Sequence, residues 1–452
     1  MDTTSEFDEK GCCSYRKISS VALPILLSMF MEHIIGMTDT AFLGRVSEVA
    51  LGASALGMVY FLAFFVLGTG FSFGAQILIA RRNGEKKFRK TGHICYAGGF
   101  FLAVFSLLLI FAVKYLSPLL LPFFIRSPEI CKATVEYLDF RAYGLFFVFV
   151  TAIFRAFYVG IARTRILTYG SIVMVAANIL LNYALIFGKF GMPEMGIAGA
   201  ALASSIAEGA AMLCYLFYTL KFVDLKKYGF DAVAAVFSSD ILKKVFTVSF
   251  WMMLQPFLSI GVWFFFFVAV EHLGERSLAV INLARTLSTL PFIIIHAFAT
   301  ATNSLVSNLI GEDKTPQVPK LIRRIMLLAH AAVIPLLLLY ALCPEFCLRI
   351  CTDNQALIDA SVEVTYVVCA SGFLQIGAFI LFNAVSGTGA VKTTVLIETL
   401  NLLIYVLFVW LVIIRGRPSP AAAWSAEIIY QAVTAILCLF YFRFGRWREK
   451  RL

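Results

Sequence analysis

The feature that most constrains this chain is a series of apolar runs longer than a soluble core requires. Residues 54–80, 97–113, 143–161 and 394–414 contain at most one charged side chain each. About 20 helical residues cross the ~30 Å hydrocarbon core of a bilayer. Segments of about ten residues with alternating polarity, which membrane β-barrels show, are missing from the sequence. Of the 452 residues, 60% are hydrophobic and 14% are charged. We therefore predict an all-α polytopic membrane protein.

Charged breaks divide the chain into twelve predicted transmembrane helices. They cover residues 18–43, 50–80, 92–114, 134–160, 166–188, 196–220, 245–271, 278–310, 321–343, 362–386, 393–414 and 421–442. Lys and Arg are concentrated in alternate connections, and the positive-inside rule places these connections and both termini in the cytoplasm. Residues 1–17 lack the apolar core of a signal peptide, so we expect a cytoplasmic N-terminal tail. Residues 443–452 form a basic cytoplasmic tail.

An internal repeat divides the predicted helices into two sets. GFSFGAQILIARRNGEKK (70–87) aligns with AFATATNSLVSNLIGEDK (297–314), an offset of 227 residues (297 minus 70). The same offset aligns Gly160 with Gly387. An even number of spans in each half gives both halves the same orientation, as in parallel-repeat transporters. We predict six-helix bundles at 18–220 and 245–442, related by a parallel pseudo-two-fold axis and joined by a cytoplasmic linker at 221–244.

Acidic residues inside the first predicted helix are candidates for ion coupling. A charged side chain within a span is costly, so it usually faces protein or water. Glu32 and Asp39 are seven residues apart and share one helix face, and Pro24 can let this helix bend. A carboxylate at Asp39 could take up a proton near neutral pH or hold a sodium ion. The alternative is that Asp39 only caps the span near the outer interface.

Amides in the fifth predicted helix could complete such a site. Asn178 and Asn182 lie four residues apart, so their side chains share one face. Their oxygens could line an ion site or accept from a protonated carboxyl. Interhelical hydrogen bonds that fix packing are an equally good explanation.

Other polar residues within the predicted spans are candidates for lining a transport cavity, with packing or interfacial roles as the alternative. They are Gln76, Glu208, Gln255, Glu271, Gln375, Glu398 and Asn401. Glu208 and Glu427 have similar neighbours, SSIAEG and WSAEII, which makes them candidate repeat counterparts. Arg141, Arg155 and Arg285 could neutralise some of these acids.

Other functional classes lack their signatures in this sequence. No Walker loop, HExxH or GxSxG motif is present, so no nucleotide-driven pump or common hydrolase is indicated. The net charge is +11, but the basic residues lie in loops between the predicted helices and form no compact basic domain. No nucleic-acid partner is therefore expected. Cys343, Cys347 and Cys351 share a spacing of four and could share a helix face, but a metal site would also want His or carboxylate partners nearby and a fourth ligand. We therefore expect small buried hydrophobes or free thiols, and neither a metal site nor a cofactor.

Several segments resemble the multidrug and toxic compound extrusion (MATE) family. They are LPILLSMFMEHIIGMTDTAFLGRVSEVALGA (23–53), GFSFGAQILIARRNGE (70–85), NILLNYALIFGKFGMPEMGIAGAALAS (178–204) and LFNAVSGTGAVKT (381–393). The resemblance covers essentially the whole chain and looks closer to the bacterial DNA-damage-inducible branch. It implies two six-helix bundles in a V shape, which alternate between outward- and inward-facing states while proton or sodium influx drives export.

The resemblance also implies roles for single residues. Asp39 matches the first-helix acid that binds the coupling ion, and Pro24 matches a proline linked to bending of that helix. Asn178 matches an asparagine of the same polar cluster, and Asn182 falls where one branch has a second Asp. In the other half, a vibrio-type branch has acids on the seventh and tenth helices. Ser259 or Gln255 and Gln375 stand nearest here, which favours coupling at Asp39, with Glu32 as a second candidate.

The leading hypothesis is therefore a monomeric antiporter of the bacterial inner membrane that exports organic cations or drugs in exchange for H⁺ or Na⁺. Its partners would be small cationic substrates and the lipid bilayer. A lipid-linked precursor flippase of the same superfamily is the first alternative, and it would favour a strongly cationic cavity. An integral-membrane transferase is the second, and it would need an acid–base set on a loop.

Overall fold

A computed structural model describes residues 13–125, 127–231 and 239–449. Within these ranges the chain forms helices, turns and short 3₁₀ and π segments, with no strand. The helices are α1 (Tyr15–Leu43), α2 (Glu48–Gly84), α3 (Phe88–Phe124), α4 (Pro128–Arg141), α5 (Gly144–Gly160), α6 (Arg165–Ile186), α7 (Gly196–Phe222), α8 (Ser239–Glu271), α9 (Glu275–Gly311), α10 (Val318–Leu342), α11 (Pro344–Arg349), α12 (Gln355–Gly387), α13 (Val391–Phe408) and α14 (Pro420–Phe444). A π-helical turn, Val409–Ile414, extends α13.

The number of membrane spans agrees with the prediction. Among the described residues, 11 helices are long and apolar enough to cross a bilayer, and α4 with α5 adds a twelfth span that is bent by 47°. The predicted fourth helix, 134–160, is therefore a broken span that begins at Pro128. The break follows Arg141, whose side chain pairs with a carboxylate on α7. The predicted all-α membrane fold with twelve spans is confirmed.

The predicted repeat is visible in the limits of the helices. Shifting both ends of α2 by the repeat offset gives both ends of α9, and each helix has 37 residues. The same shift carries the start of α4 and the end of α5 onto the two ends of α12. Residues with a positive φ angle also recur at equivalent positions of the two halves. Lys86 corresponds to Asp313, and Ala162 corresponds to Gly389. The repeat therefore extends from sequence to backbone geometry.

The loop after each long repeat helix carries the same ion pair. Glu85 lies 2.8 Å from Lys87, and Glu312 lies 3.1 Å from Lys314 at the equivalent positions. Partial burial raises the pKa of Glu85, but hydrogen bonds from Lys87 and Arg82 outweigh it, so the pKa of this carboxyl lies below its usual value. Glu85 is thus ionised at neutral pH, as the pair requires.

The chain divides into two compact units. The N-terminal unit is Leu27–Met253, and the C-terminal unit comprises the described residues 13–26 and 254–449. Both divisions fall inside a helix, within three residues of Pro24 in α1 and Pro256 in α8. The predicted bundles, 18–220 and 245–442, would instead have divided the chain at a connection, and those limits stay a prediction.

The described part of the predicted linker packs against the N-terminal unit. Within 221–244 only residues 223–231 are described outside helices, since Phe222 ends α7 and α8 begins at Ser239. The Tyr96 hydroxyl donates to the Phe230 carbonyl at 2.7 Å, and the Gly92 amide donates to the Tyr228 carbonyl at 3.1 Å. Residues 232–238 lie outside the described ranges, as do 1–12, 126 and 450–452.

The repeated glycines allow helices to approach closely. A Cβ added at Gly387 would lie 2.6 Å from the backbone oxygen of Asn303, and one at Gly160 would lie 2.6 Å from the Ile79 side chain. These contacts are equivalent, because Ile79 aligns with Val306, which also borders Gly387. The missing Cβ atoms are therefore part of both helix contacts.

Gly387→Ala should lower the melting temperature of the purified protein, because the new Cβ meets rigid backbone on α9. Gly377→Ala, on the same helix with nothing within 4 Å of its Cβ position, is the matched control. The control should be neutral or slightly stabilising, since Ala exceeds Gly in helix propensity by about 1 kcal/mol. Equal melting temperatures for the two variants would contradict the proposed contact.

Candidate ion-coupling site

The side chain of Asp39 is buried at the centre of a polar cluster within the N-terminal unit. It is 7% exposed on the transmembrane helix α1. The Asn182 amide donates to its Oδ1 at 2.6 Å, and the Asn178 amide donates to the same oxygen at 3.2 Å. The Ser204 hydroxyl donates to Oδ2 at 3.0 Å. Three helices therefore supply the acid and its donors.

Local helix geometry explains how these donors converge. Asn178 and Asn182 are one turn apart on α6, and the Asn182 amide also donates to the Asn178 oxygen at 3.1 Å. Asn178 in turn donates to Ser204 on α7 at 3.1 Å. The Oδ1 atom of Asn182 is buried and accepts no hydrogen bond from the described residues. An acceptor without a donor therefore lies beside a buried carboxylate.

Asp39 forms no direct ion pair with a described positive side chain. No Lys, Arg or His nitrogen among the described residues lies within 4.0 Å of its carboxylate. An isolated carboxylate is very costly to bury unless it is neutralised. A proton neutralises it directly. A sodium ion would do so through carboxylate, amide and hydroxyl oxygens, the ligand type that hard cations prefer. The predicted grouping of Asp39, Asn178 and Asn182 is thus present in the structure.

Glu32 does not join the Asp39 cluster. Its Oε1 forms an ion pair with the Arg155 guanidinium of α5, and the Ser28 hydroxyl donates to it at 3.3 Å. Ser28 also shares a hydrogen bond of 2.7 Å with Ser171. The charge on Glu32 is therefore already balanced, and the structure gives it a different environment from Asp39.

Glu208 also has a cationic partner. The Arg141 guanidinium donates to both of its carboxylate oxygens, at 2.8 and 2.5 Å, and stacks 3.9 Å from the centre of the Phe61 ring. Such two-pronged pairs are the strongest kind of ion pair that Arg forms. Two of the three intramembrane arginines thus neutralise acids, as their positions suggested.

Some polar candidates of the C-terminal unit line a cavity of about 470 Å³. Gln255, Ser259 and Gln375 line it. Glu398 accepts hydrogen bonds from Ser259 and, at 2.9 Å, from the Tyr430 hydroxyl. The nearby Asn401 is fully buried, and its amide donates to Thr434 at 2.7 Å.

Two other candidates are not among the described residues that line this cavity. Gln76 is 4% exposed within α2. Glu271 ends α8 with its side chain 66% exposed, which fits the interfacial alternative.

Sequence reasoning missed the significance of Glu427. Its carboxylate lines the cavity and accepts from the Tyr405 hydroxyl at 3.1 Å. The suggested correspondence with Glu208 stays a prediction, since the repeat offset of the earlier helices places Ala435 opposite Glu208. The same offset places Tyr405 opposite Asn178, so the repeat could have drawn attention to this residue pair.

Comparison with known proteins decides the family. A family model described as MatE matches residues 24–184 and 249–411. This chain belongs to the MatE family. The resemblance seen in the sequence is confirmed, and with its spans this MatE chain is a multi-pass membrane protein. The assignment of the chain to the DNA-damage-inducible branch of the family stays a prediction.

Relatives of this MatE protein span nearly its whole length. It is 28% identical over 442 residues to the "Probable multidrug resistance protein NorM" of Thermotoga maritima, covering 96% of this chain and 93% of the relative. It is 23% identical over 448 residues to "Multidrug resistance protein MdtK" of Pectobacterium atrosepticum, covering 95% of each.

Solved structures share the fold. One is described as the outward-facing conformation of a multidrug resistance MATE family transporter of the MOP superfamily, with a TM-score of 0.86, 18% identity and 100% coverage of both chains. Another, a MOP superfamily transporter from Pyrococcus furiosus, has a TM-score of 0.83 at 16% identity and covers 96% of this chain and 95% of its own.

The Arg141–Glu208 pair should contribute strongly to stability. Glu208→Met should lower the free energy of unfolding by about 3–5 kcal/mol, since it leaves a buried guanidinium unpaired. The double variant Arg141→Met/Glu208→Met should recover much of this loss, because neither charge remains. Unfolding of the purified protein in detergent measures both effects.

The exposed pair Arg89–Asp231, 3.5 Å apart with both side chains largely exposed, provides the control. Asp231→Asn should change the free energy of unfolding by less than about 1 kcal/mol. A Glu208→Met variant as stable as Asp231→Asn would show that the buried pair has no structural role.

Proposed function

We propose that this protein is a secondary active antiporter that exports organic cations or drugs in exchange for protons or sodium ions by alternating access. The observation that carries the proposal is the buried Asp39 carboxylate, surrounded by amide and hydroxyl donors without a cation. Two relatives over nearly the full chain are named multidrug resistance proteins, which supports the substrate class. No organic cofactor is part of the proposal.

Coupling follows from the cost of this buried charge. Hydrogen bonds to a charged group contribute about 1.5–3 kcal/mol each. Three of them offset only part of the desolvation of a carboxylate in a membrane interior. Asp39 is therefore best stabilised when a proton or sodium ion neutralises it, or when water reaches it. We infer that ion binding at Asp39 in the outward-facing state lowers the affinity for a cationic substrate and so releases it outside.

Both coupling ions are compatible with the cluster. A proton requires only a free carboxylate oxygen. Sodium would use oxygen ligands, and the unpaired Oδ1 of Asn182 is one such acceptor beside Asp39. The gradient that drives transport distinguishes the two ions.

The proposal places the protein in the bacterial inner membrane as a monomer with both termini in the cytoplasm. The flippase alternative favours a strongly cationic interior. Here Arg141 and Arg155 are each balanced by a glutamate, which removes two of the three intramembrane positive charges from that role. The transferase alternative has no support from the compared proteins, whose names describe transporters and multidrug resistance proteins.

Asp39→Asn should abolish ion-driven export while leaving the fold intact, because the amide keeps the shape of the side chain but cannot bind a proton or balance a cation. Efflux of a fluorescent cation from proteoliposomes, with proton and sodium gradients imposed separately, measures this. Whichever gradient drives the wild-type protein identifies the coupling ion.

The matched control is Glu136→Gln, which removes an exposed acid from the same compact unit. It should export at the wild-type rate. Ion-driven export by Asp39→Asn at that same rate would rule out coupling at this site.

A further inference from the structure

We propose that the C-terminal unit contains a binding pocket for a monovalent organic cation with a flat apolar body and N–H groups, and that Glu427 and Glu398 provide its counter-charge. The inference rests on the proposed function, because it locates the substrate of that antiport. It names a site separate from Asp39, so the two can fail independently.

The cavity has the size and lining for such a ligand. Its volume of about 470 Å³ lies within the range of small-molecule pockets, roughly 300–1,000 Å³. Five helices contribute aromatic side chains to its lining, among them Trp263, Phe292, Phe379 and Trp424. Faces of aromatic rings attract organic cations, and Trp does so most strongly. A bare metal ion would need neither this volume nor these rings.

The charges of the pocket favour one positive charge on the ligand. Glu398 is 1% exposed and Glu427 lies in the lining, and neither forms an ion pair with a described Lys, Arg or His. The hydroxyls of Tyr430 and Tyr405 donate to the two acids, and these rings lie 5.9 Å apart in an edge-to-face contact. Arg285 is the positive side chain in the described lining. Glu398 is not itself in the lining but accepts hydrogen bonds from the lining residues Ser259 and Tyr430. With Glu398 counted, two acids and one arginine leave a balance of one negative charge when both acids are ionised.

Two buried polar atoms in the lining lack hydrogen-bond partners among the described residues. Gln431 is 2% exposed and its Oε1 accepts no hydrogen bond from the described residues. Trp424 is 3% exposed and its Nε1 has no acceptor among them. Buried polar groups are nearly always paired in folded proteins. The free oxygen of Gln431 fits a ligand N–H, and for this reason we specify a cation that bears N–H groups.

The internal repeat shows that the two halves handle these charges differently. At the repeat offset, Glu398 aligns with Ser171 and Ser259 aligns with Glu32. The N-terminal half balances Glu32 with Arg155, but the residue aligned with Arg155 is Phe382. The C-terminal half thus keeps a carboxylate in this polar cluster and replaces its cation by an aromatic ring. A carboxylate that has no cationic partner in its own half of the protein is suited to bind a cationic ligand reversibly.

Binding of ethidium, a flat monovalent cation with amino groups, to the purified full-length protein tests the proposal. Fluorescence titration without any ion gradient gives the dissociation constant. Glu427→Gln should weaken binding by about tenfold or more, as expected when one member of a buried charge pair is removed. Gln431→Leu should also weaken binding, and it leaves the charges unchanged. Glu363→Gln, an exposed acid on α12, should bind as the wild type does.

The melting temperature of each variant is first compared with that of the wild type. If Glu427→Gln does not fold, the affinity of Gln431→Leu for ethidium provides the second test of the pocket. Failure of the wild type to bind ethidium, or wild-type affinity in both pocket variants, would overturn the pocket. Binding that depends on Glu427 together with absent ion-driven export would retain the pocket and reject the antiport.

Discussion

The structure depends above all on how charges are balanced in a medium that cannot solvate them. Within the N-terminal unit, Glu208 and Glu32 each form an ion pair with an arginine, while the described hydrogen bonds to Asp39 come from neutral donors. The Arg141–Glu208 pair is structural because removing either partner would leave a buried charge. Asp39 differs because its partner has to come from outside the chain, as a proton or an ion. The cost of burying a charge therefore explains both the structural ion pair and the candidate coupling site.

The C-terminal unit applies this principle with different residues. Glu398 and Glu427 are stabilised by tyrosine hydroxyls beside an aromatic cavity instead of by arginines. The matching helix limits show that the backbone repeat has been retained while the polar side chains have diverged. The halves of this MatE protein thus share a framework and place their unbalanced acids in different surroundings. In our account one half binds the coupling ion and the other binds the organic cation.

Much of the fold could be predicted because hydrophobic length and loop charge are local properties of the sequence. The grouping of Asp39 with Asn178 and Asn182 was also predictable, since helix periodicity and the family resemblance both indicated it. Pairings across helices were not predictable, because spacing along one helix does not reveal which arginine meets which glutamate. The break after Arg141 was missed for a similar reason, since apolar composition continues across it. The cavity near Glu427 depends on five helices packing together, and no single helix carries its signature.

The central claim is that Asp39 binds an ion that the substrate displaces. The most direct test is to count the ions released when a saturating cationic substrate is added to the purified protein in weak buffer, with a pH indicator and a sodium electrode read in parallel. The account predicts that the wild type releases protons or sodium ions when the substrate binds. It predicts that Asp39→Asn does not release the ion that the wild type binds at Asp39. Equal release by the two proteins would contradict it.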